Sequence, residues 1–334
     1  MWGTEACDGE VTCVEAGFYG SALVCNNCNI DTRSCEVCGP DARHCETLET
    51  TASSPSIATN DSQIAVAQGP RVRWFDGELR EVATRTFGSR ATVTTVSGGW
   101  LVVADHPPTL DFVDEAFVIR SSVPLPSSSL HFLSPVVNGH VLVAWRDTES
   151  SRIVGLIASE QGTIEVPEVQ IGGGDTVDDV TTDGTNFLVA TGGYLTKVTP
   201  TGTTTRSLIN SSGGLSLRSL VTWNGSGGVF AIVSWNTPST ILTRFDAAGA
   251  PVGDTVIVPM EVIDMIPDGA NVLALVDGKV TLTTIDPTTG TTTPGKELGA
   301  GRGHRTLARF GADVVVAWNR DIFDLRHYLA ITAP

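Results

Sequence analysis

Positive charge is scarce in this chain, and so is charge of either sign. Asp, Glu, Lys and Arg make up only 17% of its 334 residues, and 37 acids outnumber 21 Lys and Arg, for a formal net charge of −16 at pH 7. An acidic surface repels phosphate backbones, and no basic stripe with interleaved aromatics interrupts it, so nucleic acid is excluded as a partner. No run of about 18 apolar residues occurs, which excludes a membrane-spanning helix. Helical periodicity of useful length is missing too, so the crossover helices of a parallel sheet have nowhere to form. Catalytic spacings are wanting. The six histidines (His44, His106, His131, His140, His304 and His327) fall in no H-E-x-x-H pattern, and the nearest approach to a G-x-S-x-G elbow, GLSLR around Ser216, lacks the last glycine. The glycine-rich GAGRG at residues 299–303 has no helix after it and reads as a linker. Cysteine is absent after Cys45.

What is present favours short strands and tight turns. Hydrophobic residues reach 41%, enough for a substantial core, and the 35 glycines stand beside abundant Thr, Ser and Val. From residue 53 onward one pattern recurs: a turn rich in Gly, Asp or Asn, then a short apolar run ending in a small residue. The copies are QIAVAQ, WLVVAD, HVLVAW, NFLVAT, FAIVSW, LALVD and DVVVAW. Their penultimate residues (Ala67, Ala104, Ala144, Ala190, Ser234, Val276, Ala317) recur at intervals of 37 to 46 residues, about 42 on average. A period of 40–45 with four short strands per unit is that of a propeller. The runs are apolar on both faces, as strands sandwiched between neighbouring blades must be. The expected fold is therefore all-β: a seven-bladed β-propeller over residues 44–334, with blades starting near 53, 89, 129, 175, 215, 260 and 302.

The last unit, RTLARF, DVVVAW and FDLRHYLAIT, supplies only three strands before the chain stops. An open blade would leave an exposed edge. The strand-like HCETLETTA of residues 44–52 is expected to supply the missing outer strand, closing the ring head to tail. Trp145, Trp235 and Trp318 follow equivalent register positions and are expected to pack between blades.

All seven cysteines (Cys7, Cys13, Cys25, Cys28, Cys35, Cys38 and Cys45) lie within a segment with too few large apolar residues for its own core. Something covalent must hold residues 1–43 as a small module. Two C-x-x-C pairs suit a zinc site at Cys25, Cys28, Cys35 and Cys38, but they are closer together than zinc knuckles usually are, and three cysteines would remain unused. Disulfides account for the density better and point to an oxidising compartment. The segment carries nine acids against two arginines over residues 1–52, and the start, MWGTEACDG, has neither a charged n-region nor an apolar h-region, so the expectation is either that a signal was removed or that the chain is a fragment.

The run CDG, EVTC, VEAGFYGSALVC, NNC, NIDTRSC resembles the cysteine-rich repeat of secreted and surface proteins of myxobacteria and their relatives, over Glu5 to Cys35. That resemblance implies a disulfide-bonded, extracellular or cell-surface protein. In the family a further cysteine precedes this run, so the odd count here implies an absent partner, or a thiol at Cys38 or Cys45 left for intermolecular pairing. The stretch DGTNFLVAT followed by a turn and T-P-x-G is similar to propeller-like repeats of bacterial extracellular proteins; the Trp-Asp and Gly-His pairs of WD-repeat propellers are missing.

Propellers bind where outer strands lead into innermost strands, around the channel. Residues placed there by spacing are Arg90, His131, Asp178, Asp179, Arg218, Asp264, His304 and Arg305, a ring of mixed charge suited to a small polar ligand. The adjacent Asp178 and Asp179 read either as catalytic carboxylates or as acids on opposite sides of a strand, each solvated. Asp175, Asp178 and Asp179 are hard oxygen ligands that suit calcium, though not at EF-hand spacing. No cofactor is otherwise expected. The reading that follows is a secreted or surface binding protein for a glycan, peptide or protein. The alternatives are a structural or adhesive subunit that self-associates through its cysteines, and a lyase or hydrolase acting at the channel.

Overall fold

A computed structural model describes residues 24–26, 29–31, 39, 41–50, 55–126, 131–173, 176–209, 216–234, 239–276, 279–300, 305–319 and 326–334. None of them is helical. Apart from a short ladder joining Val24–Asn26 to Asn29–Asp31, the strands form seven four-stranded antiparallel sheets. The first strands of successive sheets touch one another all the way round, the seventh meeting the first. This is a seven-bladed β-propeller. The innermost strands of blades 1 to 7 are Ser56–Thr59, Ala91–Val96, His131–Leu133, Asp179–Thr182, Ser216–Trp223, Val262–Asp268 and Arg305–Phe310.

The apolar runs of the repeat are the second strands, and their two-residue alternation explains why both faces are apolar. In Gln63–Gln68, Ile64 and Val66 pack on blade 7, while Ala65 and Ala67 pack on blade 2. The core is accordingly divided into seven clusters, one between each pair of neighbouring blades. Trp145 lies in the cluster between blades 2 and 3, and Trp318 in that between blades 6 and 7. Trp235 lies outside the described residues.

Ring closure is as the missing strand required. His44–Thr50 pairs antiparallel with Arg326–Thr332 as the outer strand of blade 7. Leu48 is buried in the cluster between blades 7 and 1 with Val315, Leu329 and Ile331. The chain ahead of this latch also holds on to blade 6. The Gly39 amide donates to the Leu298 carbonyl at 2.6 Å, and an Asp41 carboxylate oxygen accepts from the Glu297 amide at 3.0 Å. Arg43 forms an ion pair with Asp313 at 2.8 Å. Cys45, within the latch, is disulfide-bonded.

The turns between third and fourth strands share one construction. Asp76, Asp114, Asp246 and Asp286 each accept a backbone N–H two residues on, at 2.7–3.0 Å. A residue with positive φ follows: Gly162, Gly202, Gly249 and Gly290 in blades 3 to 6, but Leu79 (58°) and Phe117 (61°) in blades 1 and 2. Left-handed backbone costs a bulky residue about 1–2 kcal/mol. Packing offsets it here, because each turn leans on the preceding blade. Leu79 joins the cluster shared with blade 7, and the Phe117 ring lies 5.2 Å from that of Trp74. Leu79→Asn keeps a residue that tolerates positive φ, removes the packing and sets an amide in the apolar cluster. Urea unfolding should show a loss of about 1–3 kcal/mol; unchanged stability would mean the contact is idle.

Candidate functional site at the channel mouth

Topology brings the first residues of all seven innermost strands to one end of the ring, where outer strands cross to the next blade. Three charged residues on consecutive blades gather there. Asp179 opens the innermost strand of blade 4, paired opposite Ala190. One of its carboxylate oxygens accepts from the Val221 amide of blade 5 at 2.9 Å, and the other from the Val180 amide at 2.8 Å. Arg218 of blade 5 pairs opposite Val233, and Asp264 of blade 6 opposite Leu275. Asp264 accepts from the Leu307 amide at 3.0 Å and the Thr306 hydroxyl at 2.9 Å, both of blade 7, and from the Met265 amide at 2.8 Å.

Two bulges set this arrangement. Pairing slips by one residue between Ser216 and Arg218, and again between Val262 and Asp264. An extra residue in one strand re-aims the side chains that follow it. Arg218 and Asp264 are those next residues.

The electrostatics follow from the depth of the ring. All three side chains keep some contact with channel solvent, yet neighbouring blades surround them closely. Burial, then the Asp264 charge, pushes the Asp179 carboxyl up to about 7, against the pull of the Val221 amide and Arg218. Burial also raises the Asp264 carboxyl, with Arg218 opposing most strongly. Arg218 thus acts on both acids through its field. Among the described residues, no acceptor lies within hydrogen-bonding reach of its guanidinium.

Asp178 precedes the strand proper, so pleat alternation does not apply to it. One of its carboxylate oxygens accepts from the amides of Gly192 (3.0 Å) and Ser219 (3.2 Å), the other from the Thr176 hydroxyl at 2.7 Å. Both neighbouring acids therefore reach blade 5, which corrects the reading of two solvated acids on opposite sides. The same bonds occupy oxygens that calcium would need, and Asp175 lies outside the described residues. Among the described residues, no group of three His, Cys, Asp or Glu side chains is placed to hold a metal ion.

His131 and Arg305 do not reach the channel, contrary to expectation. They pair opposite Trp145 and Trp318, and so turn into the blade interfaces with those indoles. His131 is fully buried, its Nδ1 3.0 Å from an Asp105 carboxylate oxygen and its ring 5.6 Å from Trp145. Arg305 is buried and donates through Nη1 to the Val276 carbonyl at 2.6 Å. The residues one step on, Phe132 and Thr306, pair opposite Ala144 and Ala317 and keep solvent contact. Spacing from the second strand cannot separate such neighbours, because one residue of slip exchanges the faces. Arg90 sits at the bend before blade 2, its carbonyl accepting from the Asp105 amide at 2.9 Å. His304 lies outside the described residues. So do Cys7, Cys13, Cys28, Cys35 and Cys38, while Cys25 is described only by its place in the short ladder.

With this geometry established, known structures offer a comparison. The Pan2 WD40 domain of Neurospora crassa superposes with a TM-score of 0.63 at 12% identity, covering 88% of this chain and 97% of that one. The Cps50 (Swd1) β-propeller domain of Myceliophteria thermophila gives 0.59 at 12% identity, over 86% and 99%. BamB from Moraxella catarrhalis gives 0.53 at 10% identity, over 82% and 84%. The likeness is one of fold. No family model matches the sequence, and no curated protein matches it significantly.

Proposed function

We propose that this chain is a non-catalytic binding protein of the cell exterior, whose rigid ring presents the charged channel mouth to a glycan, peptide or protein. One observation carries the reading. Two bulges in successive innermost strands deliver Arg218 and Asp264 beside Asp179, and bulges of this kind collect at sites where a side chain must be aimed. The extracellular placement rests on the cysteine density of residues 7–45 and on the disulfide at Cys45. Arrays of glycans and peptides probed with the labelled full chain should show saturable binding that Arg218→Glu abolishes. Silence on every surface, or equal binding by the variant, would remove the reading.

A second reading has its own support. A carboxyl that keeps its proton near neutrality, as Asp179 does, suits general-acid catalysis. Turnover of a polysaccharide panel, lost in Asp179→Asn, would establish a lyase or hydrolase; inert protein would end that case.

A further inference from the structure

We propose that Asn138 is a self-modifying site, where the Gly139 nitrogen attacks the side-chain amide with help from His140. The attack forms a bond from that nitrogen to Cγ and expels ammonia. Water then opens the cyclic imide to an aspartyl or isoaspartyl residue. One water is consumed and one ammonia released, with no oxidant or cofactor. The chain has two Asn–Gly steps, Asn138–Gly139 and Asn224–Gly225, and in each no side chain shields the attacking nitrogen. The fold treats the two differently.

Asn138 (φ 49°) and Gly139 (φ 80°) form the tip of a two-residue turn in blade 3. Val137 and His140 close it with two backbone hydrogen bonds, at 2.8 and 2.9 Å. Both tip residues are exposed, and a Cβ at Gly139 would meet nothing within 4 Å. The Gly139 amide donates to no acceptor among the described residues, and the Asn138 side chain is tied to none. His140 Nδ1 lies 2.7 Å from the Asn138 carbonyl oxygen, and its Nε2 lies 2.8 Å from a Glu165 carboxylate oxygen, which steadies the ring. A carbonyl oxygen only accepts, so the proton of that contact sits on Nδ1. When the Gly139 amide loses its own proton, the charge spreads onto this same carbonyl oxygen. A donor already in place stabilises it. The two closing bonds resist the rotation that Asn138 needs, but they belong to an unpacked tip that opens locally.

Asn224 is exposed as well. Its side-chain oxygen, however, accepts from the amides of Ser226 (3.2 Å) and Gly227 (3.0 Å) and from the Ser226 hydroxyl (3.2 Å). Those bonds must break before its Cγ can turn to the Gly225 nitrogen, and serine replaces histidine two residues on. At Asn138 the product adds negative charge beside Glu165. Its isoaspartyl form also lengthens a turn whose size sets the pairing of the strands it joins.

Full-length protein would be held for several weeks at physiological temperature and pH 8, then cut with trypsin. Residues 121–146 and 219–244 leave as separate peptides, each with one Asn–Gly step. Amide-to-acid conversion, located by fragment masses, should run at least about five-fold faster at Asn138 than at Asn224. His140→Leu should slow it about five-fold, the worth of one hydrogen bond. Peptides cut before incubation should convert at similar rates, since neither keeps its folded partners. The inference is overturned if Asn138 keeps its amide, if Asn224 converts as fast, if the difference persists in the free peptides, or if His140→Leu leaves the rate unchanged. The comparison of Asn138 with Asn224 needs no substitution, so it decides the matter even if the variant folds poorly.

Discussion

A chain beginning at residue 53 should fail to stay soluble, or should unfold at least about 10 °C below the full-length protein. Removing His44–Thr50 strips the outer strand from blade 7 and uncovers the whole pairing edge of Arg326–Thr332. Six ladder partners lose their mates, and an unpaired edge of that length is a template for aggregation. The buried Leu48 goes as well, leaving a void against Leu329 and Ile331. Leu48→Ala isolates that part and should cost about 2–5 kcal/mol. The remainder of the effect belongs to closure, since this strand, with the Gly39, Asp41 and Arg43 contacts ahead of it, joins the head of the chain to its tail. Differential scanning calorimetry and light scattering on both proteins decide the matter. Equal melting temperatures and monodisperse truncated protein would show that the ring does not depend on its latch.

Acidification from pH 8 to pH 5 should raise the melting temperature, and Asp179→Asn should remove most of that rise. The folded-state carboxyl of Asp179 titrates at about 7, above the unfolded value near 3.8. Between those values the folded chain holds a proton that the unfolded chain has released, so stability falls as pH climbs through the window. The loss between pH 5 and 8 amounts to roughly 3 kcal/mol from Asp179 alone. Asp264 is shifted in the same direction and adds to it. The turn acids oppose this trend in a different range. Asp76, Asp114, Asp147, Asp183 and Asp286 are held below the usual carboxylate value by amide, hydroxyl and ion-pair partners, so their stabilisation is lost only on acidification below about pH 4. Maximum stability is therefore expected near pH 4–5. Asp179→Asn keeps one acceptor for the Val221 amide and loses one hydrogen bond, about 1 kcal/mol. It should be more stable than the parent at pH 8 and less stable at pH 4. A variant that tracks the parent at every pH would show that Asp179 is ionised throughout.

Much of the architecture could be read before any coordinates. The alternation of Ile64, Val66 against Ala65, Ala67 is a local pattern, and a strand apolar on both faces has few homes other than between two sheets. Seven such strands at a near-constant period imply seven units, and an incomplete last unit implies a donor strand elsewhere. The channel site was legible only as a neighbourhood. Asp179, Arg218 and Asp264 were singled out by distance from the repeat, and so were His131 and Arg305, which face the interior. Phe132 and Thr306 were passed over, although each adjoins a residue that was chosen.

The amino-acid order alone determined the all-β class, the seven blades and the head-to-tail closure, because these depend on hydrophobic period and turn chemistry along the chain. Which side chains reach the channel was decided by tertiary structure. One-residue bulges before Arg218 and Asp264, and pairing opposite Trp145 and Trp318 for His131 and Arg305, assign the faces. A strand's side chains alternate with a period of two, so a slip of a single residue reverses inside and outside while leaving composition and spacing almost untouched.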